Sequence, residues 1–228
     1  MQLKNITILS ILFVSTLYSQ EKMYVGVNSG LTYSKFRGND YFKNMDPQLD
    51  FSVGTSFDIH INERLLFSTN INYERNSVKR YYNYYGPGVI GVIYGTTYGQ
   101  NSPSRSAPQN KFQTRFEYIN VPIMLKYLLN YEKKLYINAG GYLGHLLSIK
   151  NIDDGKESDL DFNNQFKKAD YGLVLGIGYN YTFNPSNFLS IELRESYGIT
   201  TISKPESYIF KDTKRNSLNL ILNYHFKI

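Results

Sequence analysis

Six ionisable residues fall on the polar parity of segments that otherwise alternate apolar and polar: Asp58, Glu74, Lys126, Asp170, Glu192 and Arg194. Charges gathered in an enclosed, low-dielectric space must be paired and hydrogen-bonded. Such a set either neutralises itself and plugs the space, or lines a path for protons or ions. The expectation is an internal polar network centred on Glu192 and Arg194, with Lys126 and Asp170 nearby, acting as a stabilising plug. Metal chemistry has no support in the spacing: His60, His145 and His225 form no His-x-x-x-His pair, and there is no cysteine. A nucleophilic site needs nucleophile, base and orienting acid together. His145 and the loop serines and aspartates make no such pattern, so no catalytic residue and no cofactor is expected. The segment from Asn151 to Asp161 resembles a calcium loop only superficially, because Gly155 falls at the wrong offset and no bidentate glutamate follows. Tyr81, Tyr82, Tyr84 and Tyr85 form a candidate partner-binding loop, since tyrosine buries a large area at low entropic cost. The competing reading is a strand that simply continues, carrying its rings with it.

The elements that must position these residues are strands. From Asp170 to Thr182 one face runs Tyr171, Leu173, Leu175, Ile177, Tyr179, Tyr181, and the other carries Asp170, Gly172, Val174, Gly176, Gly178, Asn180 and Thr182. Aliphatic residues in the middle with tyrosines at both ends suit alkyl chains flanked by two interfaces. A tilted crossing needs about 9–11 residues, and its backbone groups need partners on both sides, so the chain must close a barrel around it. Seven further segments show the same period of two: Met23 to Ser34, Phe51 to Ile61, Arg64 to Arg75, Thr114 to Leu128, Lys134 to Ile149, Asn187 to Thr200 and Asn216 to Ile228. The connections alternate long and short, the pattern of barrels with short periplasmic turns and long outer loops. The expected fold is therefore all-β: an eight-stranded antiparallel up-and-down transmembrane barrel, monomeric, with a lumen just wide enough for side chains to fill. Pro122 lies inside the fourth strand, where it predicts a bulge or kink with one missing ladder hydrogen bond. The longest irregular stretch expected is Asn76 to Gln113. A soluble barrel of the lipocalin type would share the strand count but turn its apolar face inward.

Composition sets the surroundings. Lys4, the apolar run Ile6 to Leu17 and the site before Gln20 read as a signal peptide over residues 1–19, leaving a barrel domain over 20–228. With no cysteine, the exported chain has neither a lipidation site nor disulfides. Mean hydropathy is −0.38, and beyond the leader no apolar run approaches the ~20 residues of a spanning helix. The net charge of +6 is spread through turns and loops without a nucleic-acid-binding motif, so nucleic acid is not an expected partner, whereas membrane lipid is.

Four segments resemble the PorT-like family of outer-membrane β-barrels of Bacteroidota. Tyr118-Ile119-Asn120-Val121-Pro122-Ile123-Met124-Leu125-Lys126-Tyr127 is similar to the family's YLEIPLLLKY strand, proline included. The run Leu135 to Gly144 resembles the strand that follows it. Ala169 to Tyr179 is similar to FDFGLVLGAGY, with Ala169 in place of an aromatic residue, and Glu192 to Ile199 to LEARYSYGL, with Glu195 where tyrosine is common. The resemblance covers nearly the whole mature chain and implies an outer-membrane location in a Gram-negative cell. It also implies a non-enzymatic structural or accessory role in the envelope, with protein secretion as a specific expectation and an envelope or secretion-system protein as partner. The alternatives are a surface-binding or adhesion barrel using the tyrosine-rich loop and, further off, a barrel enzyme or a soluble lipid carrier.

Overall fold

The computed structural model describes residues 23–83, 109–129, 132, 134–184 and 186–228. The signal peptide expected over residues 1–19, and Tyr84 and Tyr85, lie outside them. Eight long strands dominate: β1 (Met23–Arg37), β2 (Leu49–His60), β3 (Leu65–Asn83), β4 (Gln109–Leu128), β5 (Leu135–Asp153), β6 (Ala169–Asn184), β7 (Asn187–Gly198) and β8 (Lys214–Lys227). Each pairs antiparallel with its sequence neighbours, and β1 pairs with β8 from Tyr24↔Lys227 to Arg37↔Lys214, so the sheet closes on itself. Two-residue strands at Asp46–Pro47 and Lys156–Glu157 attach to β3 and β5 and complete a ten-stranded sheet.

The register fixes the geometry of the barrel. Partners followed once round the ring from Tyr24 run through Asp58, Ser68, Met124, Gly140, Val174, Ser196 and Ser217 and return to Ser34, ten residues further along β1. For eight strands that stagger corresponds to a tilt of about 40°. The short turns and both strand ends Met23 and Lys227 share one end, where the Lys227 N–H donates to the Ser186 carbonyl at 2.7 Å. The long connections share the other, outer end.

Side-chain direction decides between lipid and water outside. Leu175 is 63% exposed, Ile71 58% and Val27 57%, while Thr32, Ser190 and Glu192 are at 0–1%. The apolar set faces out and the polar set faces in, the arrangement of a membrane barrel and the reverse of a soluble carrier. Glycines on the inner face of β6 make this filling possible. A Cβ at Gly172 would collide with the Tyr142 ring and one at Gly178 with the Tyr136 ring, so β6 leaves space for the tyrosines of β5.

Two sequence expectations are corrected, and the missing ladder bond expected at Pro122 is found as a local lapse of pairing rather than a bulge. The stretch from Asn76 to Gln113 is irregular only in part, because β3 and β4 remain paired as far as Asn83↔Gln109. The last loop ends before Arg215, which belongs to β8 and faces inward. At Pro122 the β3–β4 pairing lapses between Thr69↔Ile123 and Asn72↔Asn120 without any change of register, and Thr69 Oγ1 donates to the Pro122 carbonyl at 2.8 Å. Register shifts lie instead on β5 at Leu147, skipped between Glu117↔Ser148 and Tyr118↔Leu146, and on β6 at Phe183, skipped between Thr182↔Phe188 and Asn184↔Asn187. Past Leu147 the inward parity of β5 changes from Leu146 to Ile149 and Asn151.

Candidate functional site in the barrel lumen

The inward side chains form three tiers. At the outer mouth the tier is apolar. Phe36 of β1, Phe116 of β4 and Ile149 of β5 meet Phe42, Phe166 and Phe210 brought in by three connections. Phe42 rides on a single helical turn, α1 (Asp40–Lys43), whose start is fixed by Asn39 Oδ1 accepting the Tyr41 N–H at 2.7 Å. The rings contact one another at centroid separations of 4.6 Å (Phe36–Phe116), 5.2 Å (Phe116–Phe166) and 5.1 Å (Phe166–Phe210). The connections thus fold back to cover the lumen.

Below the cap, Arg215 is a hub. Its Nε donates to Asp170 Oδ2 at 2.8 Å, Nη1 to Glu74 Oε1 at 3.4 Å and Nη2 to Asn120 Oδ1 at 3.4 Å. Asn120 Nδ2 in turn donates to Glu74 Oε2 at 3.0 Å, and Tyr142 OH to Asp170 Oδ2 at 3.0 Å. The guanidinium carbon lies 4.3 Å from the Tyr118 ring centroid and 5.2 Å from that of Tyr142. A planar, weakly hydrated cation between two π-faces, with its donors on carboxylates, is how arginine is best held away from water.

A second ionic tier sits nearer the short turns. Lys126 Nζ donates to Asp58 Oδ2 at 2.6 Å, and Ser68 Oγ to Asp58 Oδ1 at 2.6 Å. Arg194 Nε donates to Glu192 Oε1 at 2.5 Å and Tyr136 OH to Glu192 Oε2 at 2.9 Å. Lys126 Nζ also lies 4.6 Å from the Tyr136 ring centroid, so Tyr136 joins the two pairs. His225 stacks on Phe188 at 4.3 Å and approaches Ser190 Oγ (3.4 Å, Nε2) and Asp58 Oδ2 (4.0 Å, Nδ1). Ser190, His225 and Asp58 have the order of a nucleophilic triad. The His–Asp separation is too long for a hydrogen bond, though, and Lys126 holds the Asp58 oxygen in question.

The residues singled out from sequence therefore divide. Asp58, Lys126, Glu192 and Arg194 share one tier. Asp170 does not join them; it and Glu74 belong to Arg215, which lies one residue before the Asn216 start expected for the last strand. The signal for Arg215 was present, since it continues the parity of Ser217, Asn219 and Ile221. Of the tyrosine cluster, Tyr81 faces outward beside Lys79, and Tyr82 OH donates to Asp153 Oδ1 at 2.7 Å. Both extend the strands rather than line a loop. Among the described residues no cluster of three histidines or carboxylates could hold a metal.

Residues 18–204 match the family of the outer membrane protein beta-barrel domain. The chain belongs to it. A bacterial outer-membrane location follows from that membership together with the outward apolar band. No curated protein matches. Solved structures with similar folds include OprG from Pseudomonas aeruginosa (10% identity, TM-score 0.48, covering 92% of this chain and 97% of that one). Neisserial surface protein A is another (15%, 0.46, 90% and 97%), as is Ail of Yersinia pestis (12%, 0.40, 90% and 99%).

Proposed function

We propose that this outer-membrane barrel is a non-conducting, non-enzymatic scaffold with a structural or accessory role in the envelope of a Gram-negative cell. The observation that supports this reading is the lumen itself, spanned by two ionic tiers and roofed by aromatic rings. Ion pairs whose donors and acceptors are used by one another have little left for a permeating ion or a substrate. In this reading a signal peptide exports the chain, the barrel is monomeric, and its rims contact an envelope protein, with a PorT-like part in protein secretion as the specific form. Two measurements test it. Purified protein in a planar bilayer should give no steady conductance, and stepwise channels would reject the plug. Deletion should reduce secreted cargo while leaving other barrels assembled, and unchanged secretion would reject the accessory role.

A second reading is a surface-binding barrel. It draws on the outer loops, where Tyr208 is 95% exposed and Ile209 and Leu160 also face solvent. Tyr208→Ser with Ile209→Ser should abolish surface binding with secretion intact if this reading is right.

A further inference from the structure

The lipid-facing surface changes character at its outer edge between β8 and β1. Tyr33, Tyr197 and Leu218, all exposed, end the apolar band there. Immediately beyond, the register sets Arg37 directly opposite Lys214 and Lys35 opposite Asn216, on the same outward parity. Cross-strand partners have Cβ atoms about 5 Å apart, and same-face neighbours along a strand are about 7 Å apart. Three cations therefore crowd one small area, and like charges directly opposite in a ladder are destabilising. Arg37 cannot swing away to relieve this. Its Nε donates to Asn216 Oδ1 at 2.9 Å, its Nη2 to the Gly198 carbonyl, and its guanidinium carbon lies 4.0 Å from the Tyr197 ring centroid. Among the described residues no carboxylate is within ion-pairing distance of Lys35, Arg37 or Lys214. Asp40 and Asp212, the nearest acids in sequence, stand in the connections above. Elsewhere on the rim Arg75 is paired with Glu117 at 3.8 Å and Lys150 with Glu157 at 3.9 Å.

The geometry points to a binding site for the phosphate of a lipid headgroup, formed by Lys35, Arg37 and Lys214 on the outer edge of the β8–β1 face. A phosphate offers several charged acceptor oxygens and would relieve the repulsion among three donors at once. Placement selects lipid as its source. The cations lie just past a tyrosine girdle, at headgroup depth, on side chains that leave the wall outward rather than into the lumen. The site deepens the contact with membrane lipid and does not depend on the lumen being plugged.

Native mass spectrometry of the purified full-length protein in mild detergent tests it, with dioleoylphosphatidic acid as probe and dioleoylglycerol as its neutral counterpart. The wild type should retain the phosphatidic acid about tenfold more than the diacylglycerol, and Lys35→Gln with Lys214→Gln should lose most of that excess. These substitutions leave Arg37 and its contacts in place, and heat-modifiable gel mobility reports whether the barrel still folds. Lys156→Gln with Lys167→Gln, on an outer connection, removes the same charge and should retain the lipid. Equal retention by the rim variant and the wild type, or an equal loss in the loop variant, overturns the site. Displacement of the lipid by inorganic phosphate at equal concentration overturns the assignment to a headgroup.

Discussion

The two ionic tiers of the lumen solve one problem in different ways. In the outer tier a single cation, Arg215, serves two carboxylates from β3 and β6 and is clasped by two tyrosines. In the inner tier two cations and two carboxylates form separate pairs, Lys126–Asp58 and Arg194–Glu192, coupled through Tyr136. The first is a hub and the second is distributed. Since an unpaired buried charge costs far more than a pair contributes, the tiers should fail differently when one member is removed.

The largest effect is expected at the hub. Arg215→Met leaves Asp170 and Glu74 facing each other without a cation and should cost about 3–5 kcal/mol, read as a lower urea midpoint for loss of heat-modifiable mobility. Adding Asp170→Asn and Glu74→Gln to that variant should recover most of the loss. If Arg215→Met alone is neutral, the hub description is wrong. Lys126→Met should cost less, about 2 kcal/mol, because Asp58 keeps Ser68 as donor and has His225 beside it. Equal losses at the two positions would erase the distinction between the tiers.

Neither tier was fully legible in the sequence, and the reason is physical. Where lipid lies on one side and packed polar groups on the other, every second residue is constrained, so the parities of Asp58, Glu74, Lys126, Asp170, Glu192 and Arg194 could be assigned from alternation alone. Which of them meet depends on the stagger of the ring, which no single strand records. Alternation also fades where the strands leave the bilayer. Asn76, Ser77 and Val78 are all buried, and Tyr81 and Tyr82 are adjacent rings, so the paired extension of β3 and β4 looked like a loop. Arg215 was hidden by its neighbours Lys211 and Lys214, which give that stretch the composition of a solvated connection. Phe42, Phe166 and Phe210 are isolated aromatics in polar segments, and only tertiary folding brings them together.

The aromatic cap sharpens the contrast, because it belongs to the connections rather than to the ladder. A Phe→Ala change in a core typically costs about 3–5 kcal/mol. For Phe210→Ala most of that penalty should be local, opening the connections around Phe42 and Phe166 while the paired strands hold. Limited proteolysis of the outer loops should accelerate several-fold, with the urea midpoint of the barrel shifted by no more than the equivalent of about 1 kcal/mol. A large shift in the midpoint would mean that the cap and the strands unfold as one unit.

The smallest effect should come from Glu74→Gln. The hub holds one more carboxylate than cation, and its stronger contact is with Asp170 at 2.8 Å rather than Glu74 at 3.4 Å. A glutamine amide keeps the shape of the side chain and can still accept from Arg215. Removing the surplus charge offsets the weaker interaction, so the variant should lie within about 1 kcal/mol of the wild type. Asp170→Asn, which strips Arg215 of its closer partner and alters the acceptor of Tyr142, should be clearly more destabilised in the same urea series. If the order of the two variants is reversed, Glu74 rather than Asp170 anchors the arginine, and the outer tier is organised from β3 rather than from β6.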